Sequence, residues 1–384
     1  MQISSALSSP ISVMSNRAKR FVEQQLAAAD IVINGDRPWD PRIHDERLYA
    51  RLIAQGTLGL GESYMDGWWD AEALDELIYR LLTAAVPDAF PKDTAVLWSA
   101  VKGRLLNLQR LKVKEVGEKH YDIGNDLYEA MLDRRMIYSC GYWKDADSLD
   151  AAQEAKLDLI CRKVGLEKGM RVLDIGSGWG GFLQFAAERY GISGVGVTVS
   201  REQAALANER TQGLTVETRL MDYQALDGKF DRIVSVGMFE HVGYKNYRAF
   251  FAKARTLLAD DGLMLLHTIG GHHSTTHGEP FSEKYIFPNG MLPSIAQIGR
   301  ASEGRFVMED WHNFGADYEK TLLAWWANFD AAWPGLEGRY GARFYRLWRY
   351  YLLSFAALFR ARNVSLWQIV FSPRGVPGGY RSIR

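Results

Sequence analysis

The run Val172-Leu173-Asp174-Ile175-Gly176-Ser177-Gly178-Trp179-Gly180-Gly181-Phe182 constrains the fold of this chain more than any other segment. An apolar stretch ends near Asp174, glycines at 176, 178 and 181 follow in G-x-G-x-x-G spacing, and a second apolar stretch begins at once. Physically this is a strand, a turn open only to small residues, and a helix that opens with free backbone N–H groups. A nucleotide-bearing cofactor suits such a turn, because the missing side chains let it approach the backbone. The flanking sequence continues the pattern. Strands are predicted at 171–175, 193–199, 232–236 and 263–268, with helices at 182–190, 203–211 and 247–258 between them. A long aromatic helix over 343–360 and a closing strand over 366–371 follow. This alternation predicts an α/β fold with a mainly parallel sheet covered by helices.

The ligand of the turn can be narrowed further. A dinucleotide fold places an acid about twenty residues beyond the glycines to hold a ribose, and the corresponding segment, GVGVTVSREQ, has none at its strand end. Asp174, two residues before the first glycine, instead resembles the D-x-G-x-G loop of S-adenosylmethionine-binding proteins. A nicotinamide oxidoreductase is therefore disfavoured.

Upstream, helices are predicted over 45–55 and 72–84, separated by the glycine-rich turn LGLGESYMDGWW at 58–69. A basic, then polar, stretch at 107–126 reads as a linker, with the boundary near Val116. It divides the chain into a helical N-terminal domain with linker, 1–115, and a catalytic domain, 116–384. The N-terminal domain shows no catalytic constellation. The serine-rich start, MQISSALSSPISVMSNRAKR, reads as a flexible arm, with a transit peptide as the alternative.

Charge and cysteine content exclude several classes. Acidic and basic residues cancel to a net charge of zero, which leaves no overall basic footprint for nucleic acid. Two cysteines without a C-x-x-C pair argue against a disulfide framework and a structural zinc site, and point to the cytoplasm. No apolar run reaches the roughly 18 to 20 residues needed to span a bilayer. Cys161 shares a helical face with Leu157, Ile160 and Val164, which predicts core packing. His272, His273 and His277 lack metal-ligand spacing, and no metal is expected. Arg343, Arg346, Arg349, Arg360 and Arg362 flank the aromatic helix; they suit either lipid phosphates or solvated surface charge.

Read together, VLDIGSGWGG, YSCGYW, IVSVGMFEHVG, LLHTIG and WHNFGADYEKTL closely resemble the cyclopropane-fatty-acyl-phospholipid synthases, from about Asn34 to the C-terminus. The one departure noted is Ser177, at a position often cysteine in relatives. The resemblance implies a class I S-adenosylmethionine-dependent methyltransferase fold, with a seven-stranded sheet and a smaller helical domain in front. It implies methylene transfer from S-adenosylmethionine to a cis double bond in a phospholipid acyl chain, through a carbocation deprotonated by bound bicarbonate. It also places a carbonate pocket at Cys140, Glu240, His267, the main chain of Ile269, and Tyr318. Tyr138, Ser139, Asp174, Gly176, Gly178, Thr198 and Gln203 would face the cofactor, with Gln203 on the ribose and Asp222 and Tyr223 near the adenine. A homodimer docked reversibly on the inner membrane surface is expected. The alternatives are a relative making methyl-branched or methylene acyl chains or methylating a small amine, and, from another class, a non-catalytic lipid or cofactor carrier.

These residue types suit that chemistry. A thiolate beside a sulfonium would itself be methylated, whereas a neutral Cys140 thiol is a weak donor that helps hold a small oxyanion. His267 and the amide at Ile269 are expected to donate to that anion, and Glu240 to accept its proton. Tyr318 offers an aromatic face to a cation and a hydroxyl to an anion.

Overall fold

The structure is a computed structural model and describes residues 10–84 and 124–384. The expected boundary near Val116 lies outside them. The N-terminal part contains α1 (Pro10–Ala28), β1 (Arg42–Ile43), α2 (Arg47–Met65), β2 (Trp69–Asp70) and α3 (Leu74–Thr83). After α4 (Asn125–Met131) and α5 (Leu149–Lys163) come β3 (Arg171–Ile175), α6 (Gly181–Tyr190), β4 (Ser193–Thr198), α7 (Arg201–Arg210), β5 (Val216–Leu220) and β6 (Phe230–Val236). The remainder is α8 (Tyr247–Leu257), β7 (Leu258–Gly271), α9 (Pro280–Tyr285), α10 (Ile295–Ser302), β8 (Val307–Asn313), α11 (Asp317–Arg360) and β9 (Val364–Ser372).

Among the described residues, seven strands form one sheet in the order β5-β4-β3-β6-β7-β9-β8. β3 to β7 are mutually parallel, and β9 runs antiparallel to both its neighbours. β3 and β4 are buried along nearly their whole length, as parallel strands covered on both faces by helices must be. β4 and β5 lie to one side of β3, and β6 and β7 to the other. The winding therefore reverses between β3 and β6, and a crevice opens there at the carboxyl ends of the strands.

Several expectations are revised. Pro10 to Arg20, read as part of a flexible arm, lies in α1. The turn expected at 58–69 is helical through Met65, because α2 breaks and resumes at Gly56, whose φ of 54° is accessible to glycine. The aromatic helix begins earlier than predicted. α11 runs from Asp317 and contains one break, at Gly341 (φ 75°, ψ 160°), two residues before its expected start.

Four arginines of α11 have partners within the protein. Arg346 donates to the carbonyls of Tyr64 and Trp69 and pairs with Asp70 at 2.7 Å. Arg349 donates to the carbonyls of Ala71 (3.0 Å) and Glu72 (2.9 Å). Arg343 pairs with Asp66 at 3.1 Å, and Arg360 with Asp75, Glu76 and Glu319 at 3.3–3.6 Å. Four of the five arginines read as lipid-facing or solvated thus tie α11 to other protein groups, chiefly the N-terminal segment. Apolar packing completes that contact, with Trp69 fully buried and Tyr64 set between Trp69 and Tyr350, at 5.0 and 5.5 Å.

Candidate functional site

The glycine turn follows β3 as its spacing requires. The N–H groups of Gly176 and Ser177 both donate to the Val197 carbonyl of β4, which pins the loop to the sheet. Gly176 and Gly178 have φ of 87° and 53°, a left-handed region that side chains disfavour. A Cβ on Gly176 would strike Met238, whereas one on Gly178 would project into open space.

Gly178 is in the lining of a cavity of about 1420 Å³, its solvent-open mouth included, at the strand ends. Tyr138, Ser139, Asp174, Gly176, Gly178, Thr198, Gln203, Asp222 and Tyr223 all line it. The Thr198 hydroxyl donates to Gln203 Oε1 at 2.8 Å and fixes that amide. Asp222 accepts from the Gln224 N–H at 2.9 Å and shapes the turn at the far end. Asp174 is buried with Oδ1 lacking any hydrogen-bond partner among the described residues, and burial raises its pKa to about 7.

Cys140, Glu240, His267, Ile269 and Tyr318 lie outside this lining, on elements around it. Glu240 is buried just beyond β6. Its Oε1 accepts from the Ile269 N–H at 2.7 Å, Oε2 has no hydrogen-bond partner among the described residues, and burial raises its pKa to about 7. The Ile269 amide, expected to donate to an anion, is therefore committed to Glu240. His267, on β7, receives a hydrogen bond from the Gln368 amide at Nδ1 (3.2 Å), assigning the ring proton to Nε2, which is buried without a partner among the described residues. Burial, then the charges of Lys156 and Lys163, push its pKa well below the usual range, so the ring is neutral.

Cys140 is fully buried, and its thiol donates to the Gly141 carbonyl at 3.1 Å. Burial and, to a smaller degree, the Asp317 carboxylate push this thiol well above its ordinary pKa. Thr321 of α11 lies 3.9 Å from its sulfur, and Tyr318, one turn earlier, packs on Phe359 at 4.4 Å. Cys140 thus lies against the first turns of α11, and Tyr318 belongs to the first of them. Glu240 and Ile269 meet directly, and no hydrogen bond joins Cys140 to Glu240 or His267 among the described residues. Cys161 is buried in the core beneath α5. The ring of His272 meets the Ser365 hydroxyl at 3.1 Å.

Three further residues went unremarked in the sequence. Gln153 and Lys156 are fully buried on α5; they bind the Ser139 carbonyl at 2.7 Å and its hydroxyl at 2.8 Å. His241 lines the cavity with Nδ1 unpartnered among the described residues, its pKa lowered by burial to about 4. The signal for the first two was present: Gln153 and Lys156 fall on the apolar stripe of Leu157 and Ile160, where a polar side chain must have a partner.

Comparison with known proteins fits this geometry. The family model for mycolic acid cyclopropane synthetase matches residues 109–369. The cyclopropane-fatty-acyl-phospholipid synthase of Escherichia coli is 50% identical over 386 residues, spanning 100% of both chains. Tuberculostearic acid methyltransferase UfaA1 of Mycobacterium tuberculosis is 33% identical, covering 88% of this chain and 85% of its own. Among solved structures, mycolic acid cyclopropane synthase CmaA1 complexed with SAH and CTAB superposes with a TM-score of 0.64 at 34% identity, over 67% of this chain and 97% of its own. With the family pattern covering most of the chain and a relative alike along its whole length, this protein belongs to the mycolic acid cyclopropane synthetase family.

Proposed function

We propose that this protein is a cyclopropane-fatty-acyl-phospholipid synthase, adding a methylene from S-adenosylmethionine across a cis double bond of an unsaturated phospholipid acyl chain, with bicarbonate as base. The full-length likeness to the Escherichia coli synthase supports a phospholipid substrate. Cyclopropane mycolic acid synthase 1, by contrast, matches only 63% of this chain while using 91% of its own.

One observation carries the reading: Glu240 Oε2, just beyond β6, and His267 Nε2, on β7 opposite the last residue of β6, are buried polar atoms with no hydrogen-bond partner among the described residues. Burying such groups unpaired is costly, and a small oxyanion offering both a donor and an acceptor would satisfy them. Bound S-adenosylmethionine supplies an electrophilic methyl on sulfur, and bound bicarbonate supplies a base for the proton lost as the ring closes. The chain's own residues set the conditions. Neutral His267, held in the Nε2–H form by Gln368, donates to the anion, and Glu240, aimed by the Ile269 amide, accepts a proton from it. The Cys140 thiol stays protonated in its buried setting, so it lines the anion site without being methylated. Tyr318 and its aromatic neighbours face the cationic carbon with π-electron density.

The reading extends to the inner membrane surface, where the acyl substrate lies, and among the described residues no helix is long and apolar enough to cross a bilayer. It includes a homodimer, with the N-terminal helices as lipid-engaging or dimerising elements; light scattering that finds a monomer would remove the dimer. The base is tested with purified protein, S-adenosylmethionine and vesicles of unsaturated phospholipid. Carbonate-depleted buffer should slow turnover and added bicarbonate restore it, whereas equal rates in both buffers would reject the anion as base.

A further inference from the structure

We infer that Lys156 is the receptor for the carboxylate at the amino-acid end of the cofactor, with Asp174 across the same end of the cavity accepting from the amino group. This deepens the S-adenosylmethionine reading and rests on it. Lys156 is fully buried on α5 yet lines the cavity, and it is the one lysine or arginine that does so among the described residues. Its ammonium has three N–H donors, and the structure gives it a single side-chain acceptor, the Ser139 hydroxyl at 2.8 Å. Asp174, also buried and also lining the cavity, leaves Oδ1 without a partner. Lys156 feels the charge of Asp133 first and that of Asp174 less, Asp174 feels that of Lys156, and no ion pair joins Lys156 to either carboxylate among the described residues.

Two buried opposite charges that face one cavity without touching describe a gap for a dipolar group. An α-amino acid end carries an ammonium and a carboxylate on one carbon, matching the two signs. Without that ligand both residues drift toward neutrality, since burial lowers Lys156 to about 8 and raises Asp174 to about 7. The opposite end of the cavity, around Met221, Asp222 and Tyr223, offers no cation and suits the uncharged base. A purely structural lysine, present only to hold Ser139, would affect ligands with and without the amino-acid end alike.

Isothermal titration of the full chain separates these cases without relying on activity. S-adenosylhomocysteine carries the complete amino-acid end, its decarboxylated analogue keeps only the ammonium, and 5′-methylthioadenosine carries neither. Lys156→Met should weaken S-adenosylhomocysteine binding by about 10²-fold, the scale for truncating one partner of a buried charge pair. It should leave the decarboxylated analogue and methylthioadenosine within a few-fold of wild type. Asp174→Asn should penalise both ligands that carry the ammonium and spare methylthioadenosine. Retained methylthioadenosine binding certifies that a variant is folded, and Lys156→Arg, which keeps the charge, should recover part of the lost affinity. A Lys156→Met loss shared equally by all three ligands, or no loss at all, would overturn the assignment. Failure of the wild-type chain to bind S-adenosylhomocysteine would instead remove the cofactor reading beneath it.

Discussion

Glu240 holds a carboxyl group inside the protein with one oxygen bound to a backbone amide and the other unpaired, so its chemistry depends on what occupies the adjoining space. Glu240→Gln keeps the shape but loses the proton acceptor. It should lower turnover by about 10²- to 10⁴-fold, the usual cost of removing a positioned acid–base group. Cys140→Ser keeps a small hydrogen-bonding group and should cost much less, with cofactor affinity little changed in either variant; a dead Cys140→Ser beside a near-normal Glu240→Gln, both folded, would reassign the base. Gly178→Val places a branched side chain into the cavity at a backbone φ of 53°, which valine disfavours. Calorimetry with S-adenosylhomocysteine should detect no binding to this variant, and normal binding would move the cofactor elsewhere. At this scale the sequence is legible where chemistry is local, as in the glycine turn. Ser139 is held by Gln153 and Lys156 from fourteen and seventeen residues away, and only the fold brings them together.

Among the elements, α2 and α11 show how charge that looks solvated in one dimension becomes a fastening in three. Glu62 on α2 is buried and receives the Lys284 ammonium, the Tyr285 hydroxyl at 2.7 Å and the Arg51 guanidinium, which joins the N-terminal helices to α9. Burial alone would raise its pKa; these partners more than reverse that and hold it at about 2. Because the folded pKa lies below the ordinary carboxylate value of 4.5, this stabilisation is present above that pH and is lost as pH falls toward 2. Glu62→Gln should therefore lower stability by on the order of 3 kcal/mol at neutral pH. It should also flatten the acid limb of the stability curve between about pH 4.5 and 2; an unchanged acid limb by thermal denaturation would refute the fastening. The long apolar strands were readable, and β6, β7 and β9 only proved longer than predicted. β5 and β8 were not, because VETRL and VMEDWHN are edge strands whose charged residues hide the alternation of a half-buried face.

For the whole molecule, the winding of the sheet puts every cofactor-facing candidate at one crevice, and none of its lining residues precedes Met136. The N-terminal helices brace α11 and α9 through Arg346, Arg349 and Glu62. This division was visible in the sequence as a change from helical to alternating pattern, but the arginine ties were not, since nothing in one dimension says which surface a charged helix face meets. The product formed on a phospholipid separates the two reactions open to this fold, since relatives named as a cyclopropane synthase and as a tuberculostearic acid methyltransferase both match most of this chain. The direct measurement is mass spectrometry and proton NMR of phospholipids from a host that makes no cyclopropane lipids, before and after expression of this protein. A cyclopropane synthase should produce a gain of one CH₂ on unsaturated acyl chains together with the upfield signals of a cis cyclopropane ring. The same mass gain with a branched methyl signal and no ring, or lipids left unchanged by a folded, cofactor-binding protein, would contradict it.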